Sequence, residues 1–177
     1  MQSRKPKLLQ IGIIVRSLDK TIRNYETVLG IGPWEISELS GAAEPFTDLV
    51  VDGEKRSETI CKIGICKAYG MELELIEPVA ADTPYAKWLD EHGLGLQHIA
   101  LISDEDYDEM LDSYQKQKGS APWIRATGMG GLMDFSYLDY REELGLIMEC
   151  YRNIEPGKRG IPYDYEGEAV DGPKDAE

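Results

Sequence analysis

The sequence predicts an α+β fold in which two tandem βαβββ modules form one curved mixed sheet. Each half opens with a strand of alternating apolar and polar residues and continues with an amphipathic helix. Further short strands, bounded by Gly and Pro, complete each half. Because the second half repeats the order of the first, we infer a duplicated module.

The duplication is visible in the spacing of a Pro–Trp pair and of a glycine that precedes a glutamate. The intervals are 24 positions from Gln10 to Trp34, 25 from His98 to Trp123, and four each from Gly70 to Glu74 and from Gly145 to Glu149. The halves therefore align with Gln10 opposite His98 and Glu74 opposite Glu149. The residues missing from the second half fall in a loop region.

The first module begins with a strand over residues 8–15. Its odd positions, from Leu9 to Val15, are apolar and predict a face that packs against helices. Gln10 and Gly12 point to the opposite face. This strand is therefore expected to have one apolar face that is buried and an opposite face that is polar.

A short helix follows, with Asp19 as its N-cap and Gly30 as its end. Further strands are predicted at 32–36, 58–66 and 71–76. Residues 40–57 read as a loop. The residues expected on the buried side of the helix are Ile22, Tyr25, Val28 and Leu29.

A connector helix is predicted over about 83–92, started by Thr83 and Pro84 and ended at Gly93. The succession of strand, helix and strands then begins again. The second module is predicted to contain strands at 96–102, 121–124, 134–138 and 146–150, and a helix through Tyr107, Met110, Leu111 and Tyr114 that ends at Gly119.

We thus predict a single domain over residues 1–153, with modules at about 7–80 and 94–152. Residues 154–177 form an acidic tail rich in Pro and Gly, without periodicity, which we expect to be loosely held. A chain of 177 residues is long enough to bury a substantial core.

The composition of the chain limits its possible partners and its location. The net charge of -14 disfavours nucleic acid as a partner. No apolar run approaches the roughly 18 residues of a membrane helix, so we expect no membrane partner. Three cysteines without metal-site spacing indicate a reducing compartment, and we predict a cytoplasmic protein.

Four polar side chains are expected on the concave face of the sheet, and they form a candidate metal site: Gln10, Glu74, His98 and Glu149. One imidazole, two carboxylates and one amide oxygen suit a divalent ion such as Zn²⁺, Ni²⁺, Co²⁺, Mn²⁺ or Fe²⁺. The small neighbours Gly12 and Ala100 are expected to leave room for a ligand.

Three of these residues also have a structural interpretation. Glu74 and Gln10 could simply face solvent on the wet side of an antiparallel sheet. His98 could be a hydrogen-bonded core histidine. The pairing of the four positions by duplication favours the metal site.

Three segments carry a resemblance to the vicinal oxygen chelate superfamily over roughly residues 7–152. Ile11-Gly-Ile-Ile-Val15, followed by Leu18-Asp19 and Tyr25, resembles the family's opening strand and helix. Glu74-Leu-Ile-Glu-Pro78 and Gly95-Leu-Gln-His-Ile-Ala100 resemble segments of methylmalonyl-CoA epimerase, and Glu149 falls at the family's final ligand position. The ligand order Gln, Glu, His, Glu resembles that of eukaryotic glyoxalase I, whereas epimerases have histidine in place of Gln10.

The resemblance implies a glyoxalase-like fold, a divalent metal with Zn²⁺ as first choice, a homodimer, and a small-molecule carbonyl or thioester substrate. It implies a lyase or isomerase of the glyoxalase I or epimerase type, in which Glu149 removes a proton and Glu74 is the partner on the opposite face. Two alternatives stay open. An Fe(II) extradiol-type dioxygenase would need a second histidine where Gln10 stands, and a binding protein of the bleomycin-resistance type would need no metal.

Overall fold

The structure is a computed structural model, and it describes residues 7–68, 70–102 and 106–154. These residues form one ten-stranded sheet and four helices. The strands are β1 (Lys7–Ile14), β2 (Glu35–Ser40), β3 (Thr47–Val51), β4 (Glu54–Lys55), β5 (Thr59–Ala68), β6 (Met71–Pro78), β7 (Gly95–Ile102), β8 (Ile124–Gly128), β9 (Met133–Tyr140) and β10 (Leu146–Asn153). The helices are α1 (Leu18–Asn24), α2 (Pro84–His92), α3 (Tyr107–Lys118) and α4 (Arg141–Leu144).

The strand order confirms the predicted fold of two modules in one curved mixed sheet. The order is β2-β5-β6-β1-β7-β10-β9-β8-β3-β4. The first module supplies β2-β5-β6-β1, and the second supplies the same sequence reversed, β7-β10-β9-β8. The opening strands β1 and β7 pair antiparallel at the centre, and each pairs parallel with the last strand of its own module. The sheet curls into a half-barrel.

The prediction that residues 40–57 form a loop is wrong, because β3 and β4 lie within this segment. β3 leaves the first module and pairs with β8 of the second. Leu49 and Val51 of β3 are 1% and 2% exposed. Five residues are too few for a clear alternation, and the strand's partner is about 75 residues away in the chain, so local sequence does not reveal the pairing.

The first helix differs from its prediction at its start and in the geometry of its last turn. Ser17, and not Asp19, is the N-cap, and its hydroxyl accepts from the backbone of Lys20. A π-helical turn over Tyr25–Leu29 follows α1 and ends at Gly30, as predicted. The wider π-turn breaks the 3.6-residue spacing, so Val28 and Leu29 are exposed and not buried as expected.

The connector helix and the second-module helix agree with the sequence prediction. α2 has Thr83 as N-cap, Pro84 in its first turn and Gly93 as C-cap. α3 ends at Gly119. The predicted tail from residue 155 onward and the turn residue Tyr69 lie outside the described residues.

Apolar residues fill both faces of the sheet. On the convex face, α1 packs over Val15 and Leu75, and α3 packs over Leu138 and Cys150. The largest buried cluster lies on the other, concave face and includes Tyr85 of α2. The concave face is therefore a packed core that surrounds a few polar groups.

The assignment of Leu9 to the helix-facing side is a further correction. Leu8 pairs with Leu101 and Gln10 with Ala100, so Leu9 is an extra residue, a β-bulge, in β1. Leu9 accordingly belongs to the concave cluster. A single bulge is enough to shift the alternation that the sequence suggests.

Candidate metal centre

Three buried side chains from three adjacent regions of the sheet converge on the concave face. Glu74 lies on β6, His98 on β7 and Glu149 on β10, and one ligand atom of each lies within 4.8 Å of the others. His98 Nε2 is 3.3 Å from Glu74 Oε2 and 3.3 Å from Glu149 Oε2. We refer to these three residues as the Glu–His–Glu cluster.

Strand register explains the convergence. Gly12 in β1 pairs with Glu74 on one side and with His98 on the other. β10 runs parallel to β7 and places Glu149 beside Ala100, two residues from His98. Since directly paired residues share a face, the duplicated modules bring their equivalent glutamates to both sides of one imidazole.

Gly12 is necessary for this arrangement, although not for the reason predicted. A Cβ atom built on Gly12 would overlap the imidazole ring of His98. The room that this glycine leaves is therefore occupied by a protein side chain and not by a ligand. Ala100, the other small neighbour, is fully buried in the concave cluster.

The cluster is removed from solvent. Glu74, His98 and Glu149 are 4%, 2% and 1% exposed. Burial disfavours the charged imidazolium, but the two neighbouring carboxylates outweigh burial and raise the pKa of His98 to about 9. Burial likewise raises the pKa of Glu149. A protonated His98 thus supplies one positive charge against two buried carboxylates, whereas a divalent ion would supply two.

A divalent ion meets the requirements of the cluster. Glu74 Oε2 and Glu149 Oε2 are buried and have no hydrogen-bond partner within the described part of the chain. Two ligands bound to Zn²⁺ at about 2.0–2.2 Å in a tetrahedral arrangement lie roughly 3.4 Å apart, close to the 3.3 Å separations from His98 Nε2. Glu74, His98 and Glu149 therefore fit a divalent metal in both charge and spacing.

Gln10, the fourth predicted ligand, lies on the same face of β1 as Gly12 and two residues before it. It is fully buried and pairs with Ala100 of β7 and with Glu72 of β6. The Tyr151 hydroxyl donates a 3.1 Å hydrogen bond to Gln10 Oε1, the atom that would bind a cation. Its amide nitrogen has no partner among the described residues. Gln10 as a ligand stays a prediction.

Three residues around the cluster were not predicted from sequence. Gln97 Oε1 lies 2.6 Å from His98 Nδ1. The Tyr137 ring packs edge-on against the His98 ring at 4.8 Å, and its hydroxyl lies 3.5 Å from Nε2. Tyr151 follows Glu149 by two positions, so strand alternation could have revealed it; nothing comparable marked Gln97.

Other sequence features lie away from the cluster. His92 is exposed and stacks on Trp88, as expected for a residue at a helix end. The three cysteines are buried and form no disulfide. No helix within the described ranges has the length and apolar character to cross a lipid bilayer.

The curled duplicated sheet, with a Glu–His–Glu cluster between its modules, defines a fold class that includes metalloenzymes. The family model of the Glyoxalase/Bleomycin resistance protein/Dioxygenase superfamily matches residues 9–137, and the chain belongs to this superfamily.

The individual proteins that the chain resembles have low sequence identity to it. The chain is 27% identical over 146 residues to the uncharacterized protein YqjC of Bacillus subtilis (strain 168), an alignment that covers 81% of this chain and 89% of that protein. Among solved structures it resembles a methylmalonyl-CoA epimerase of Streptomyces coelicolor in complex with 2-nitronate-propionyl-CoA, with a TM-score of 0.59 and 20% identity over 84% of this chain and 98% of that one. It also resembles the hypothetical protein BH1468 of Bacillus halodurans C-125, with a TM-score of 0.59 and 19% identity over 88% of this chain and 100% of that one. At these identities the structural likeness concerns the fold.

Proposed function

We propose that the chain is a divalent-metal-dependent lyase or isomerase of the glyoxalase I or methylmalonyl-CoA epimerase type, which removes a proton next to a carbonyl or thioester. The observation that carries this proposal is the Glu–His–Glu cluster, in which one oxygen of each of two buried carboxylates lies 3.3 Å from one imidazole nitrogen. Zn²⁺ is our first choice of metal.

The chain's own residues divide the work between binding and proton transfer. Glu74, His98 and Glu149 would hold the ion, with Gln10 as a further ligand. When bound, the ion supplies Lewis-acid polarisation of a substrate oxygen. In this proposal Glu149 acts as the base, and Glu74 returns a proton to the opposite face of the substrate. The apolar residues packed around the cluster keep bulk water away from these side chains.

The substrate class follows from this chemistry. An acidic α-proton beside a polarised oxygen is a property of 2-oxo compounds, of hemithioacetals and of acyl thioesters. Several structural neighbours are described as methylmalonyl-CoA epimerases, one of them in complex with methylmalonyl-CoA. We therefore rank small acyl-CoA thioesters first for testing. A homodimer and a cytoplasmic location complete the proposal. The resemblance supports the first, and the number and spacing of the three cysteines support the second.

The test is solvent exchange at the α-carbon. Zn²⁺-loaded protein is incubated in D₂O with methylmalonyl-CoA, or with hemithioacetals of glutathione, and deuterium incorporation is followed by NMR. We expect metal-dependent incorporation into one of these substrates. Glu149→Gln should reduce its rate by at least 100-fold, whereas Glu142→Gln, at an exposed position of α4, should leave it unchanged. Equal rates for wild type and Glu149→Gln would remove Glu149 from this role.

A second candidate is non-enzymatic binding of an apolar compound. The observation that favours it is the apolar and aromatic character of the residues around the Glu–His–Glu cluster. Metal content separates the two functions. Protein purified without chelator that contains less than about a tenth of a metal ion per chain, and gains none on reloading, would be a binder.

A further inference from the structure

We propose that Gln97 is a positioning residue, which holds the His98 ring so that its Nε2 atom, and not Nδ1, is available to a metal. This inference rests on the proposed metal centre. It concerns a residue that neither strand alternation nor the spacing of the modules singles out.

A β-bulge puts Gln97 and His98 on the same side of β7. Gly12 pairs with His98, but the next residue of β1, Ile13, pairs with Leu96. Gln97 is therefore the extra residue on β7. In a regular strand the residue before His98 would point to the convex face, whereas a bulge redirects one side chain and allows two consecutive residues to meet.

The hydrogen bond between the two side chains has one possible direction. Gln97 Oε1 lies 2.6 Å from His98 Nδ1. A carbonyl oxygen only accepts, so Nδ1 is the donor and carries a proton. In the neutral ring, Nε2 is then left with the free lone pair, and Nε2 is the atom that faces Glu74 and Glu149. The tautomer that Gln97 selects is the one that can bind an ion inside the cluster.

Two neighbours of the His98 ring fix its plane. Gly12 provides the space beneath the ring, and Tyr137 packs edge-on against it. Gln97 is 4% exposed, and its amide nitrogen is buried without a partner within the described residues. Keeping a buried donor unsatisfied is costly. The Gln97 amide accepts this cost in the orientation that presents its oxygen to His98 Nδ1.

Three variants test the proposal. Gln97→Leu keeps a similar volume and removes the acceptor, whereas Gln97→Glu keeps an acceptor at the same position. Tyr107→Phe is the matched control, because it deletes another buried hydrogen bond, the 2.7 Å contact with Ser136 beside α3. Each protein is stripped of metal, checked for folding by circular dichroism, and titrated with Co²⁺ while its visible absorption is recorded.

We expect Gln97→Leu to weaken Co²⁺ binding by about 10- to 100-fold, the usual effect of removing the partner of a metal-bound histidine. Gln97→Glu should restore affinity to within a few-fold of wild type or exceed it, and Tyr107→Phe should bind as wild type does. Co²⁺ affinity of Gln97→Leu within twofold of wild type, with the same spectrum, would overturn the role of Gln97 and leave the metal centre standing. A wild-type protein that binds no Co²⁺ would refute the metal centre, and the role of Gln97 with it.

A second readout reports the tautomer itself. The chain has two histidines, so imidazole nitrogen signals of Zn²⁺-loaded, ¹⁵N-labelled protein are simple, and His92→Gln assigns the remaining signal to His98. We expect a slowly exchanging proton on His98 Nδ1 that is lost or exchanges rapidly in Gln97→Leu. A proton found on Nε2 in the wild type would contradict the proposal.

Discussion

The position of His98 at the centre of this sheet depends on its contacts with a few individual atoms. Its ring lies over a glycine, against the edge of Tyr137, and within 3.3 Å of two carboxylate oxygens. The carboxylates come from equivalent positions of the two modules, so one glycine serves both halves. The chemistry of the centre therefore depends as much on the missing side chain at Gly12 as on the ligands.

Gly12→Ala should displace the His98 ring, because the added methyl group would overlap it. We expect Co²⁺ binding to fall by at least 10-fold, and stability to fall by about 1–3 kcal/mol, as for other overpacked cores. Gly32→Ala is the control, since its Cβ would meet no atom of another residue closer than 3.5 Å. Unchanged Co²⁺ affinity in Gly12→Ala would show that the ring position is not tied to this glycine.

The sequence identified some residues of the site more directly than others. Duplication pointed to Glu74, His98 and Glu149 because equivalent spacings survive in both modules. The same reasoning selected Gln10, yet its oxygen accepts a hydrogen bond from Tyr151, a contact between residues 141 positions apart that no local pattern encodes. Gln97 was missed for a different reason, since a bulge has no signature in the alternation of β7.

Among the elements, α2 and α3 carry local signals and agree with prediction, whereas β3 is defined by distant pairing and was not predicted. Caps of Thr83 and Gly119 mark α2 and α3 in the sequence itself. β3 has no such signal, because β8 of the other module supplies its partner. The same strand joins the two modules and contributes to the concave cluster, so the segment that reads as a loop is part of the core.

Leu49→Ala tests whether β3 is structural. Leu49 is 1% exposed in the concave cluster, so its truncation should cost about 2–5 kcal/mol of stability. For a domain of this size, the melting temperature should fall by roughly 5–15 °C. Glu54→Ala, at an exposed position of β4, should change it by little. Equal melting temperatures for wild type and Leu49→Ala would support a loop.

The molecule as a whole combines a packed apolar concave face with a small, charged centre. Most of the core surrounds the Glu–His–Glu cluster, and its two buried carboxylates, balanced only in part by a protonated His98, are a liability for folding. A bound ion would remove this liability. Metal binding and global stability should therefore be linked.

Zn²⁺ should stabilise the wild-type protein against unfolding. At a free concentration 100 times its Kd, a ligand that binds only the folded state adds about 2.7 kcal/mol, which calorimetry would register as a rise of several degrees in melting temperature that a chelator reverses. Glu74→Gln with Glu149→Gln should lose most of this rise. A rise of the same size in the double variant would locate the binding elsewhere.

The most direct measurement is a crystal structure of the Zn²⁺-loaded protein with anomalous scattering recorded at the zinc edge. We predict one ion on the concave face, bonded to His98 Nε2 and to one carboxylate oxygen each of Glu74 and Glu149 at about 2.0–2.2 Å. An ion bound elsewhere, or an empty cluster at saturating Zn²⁺, would contradict the account.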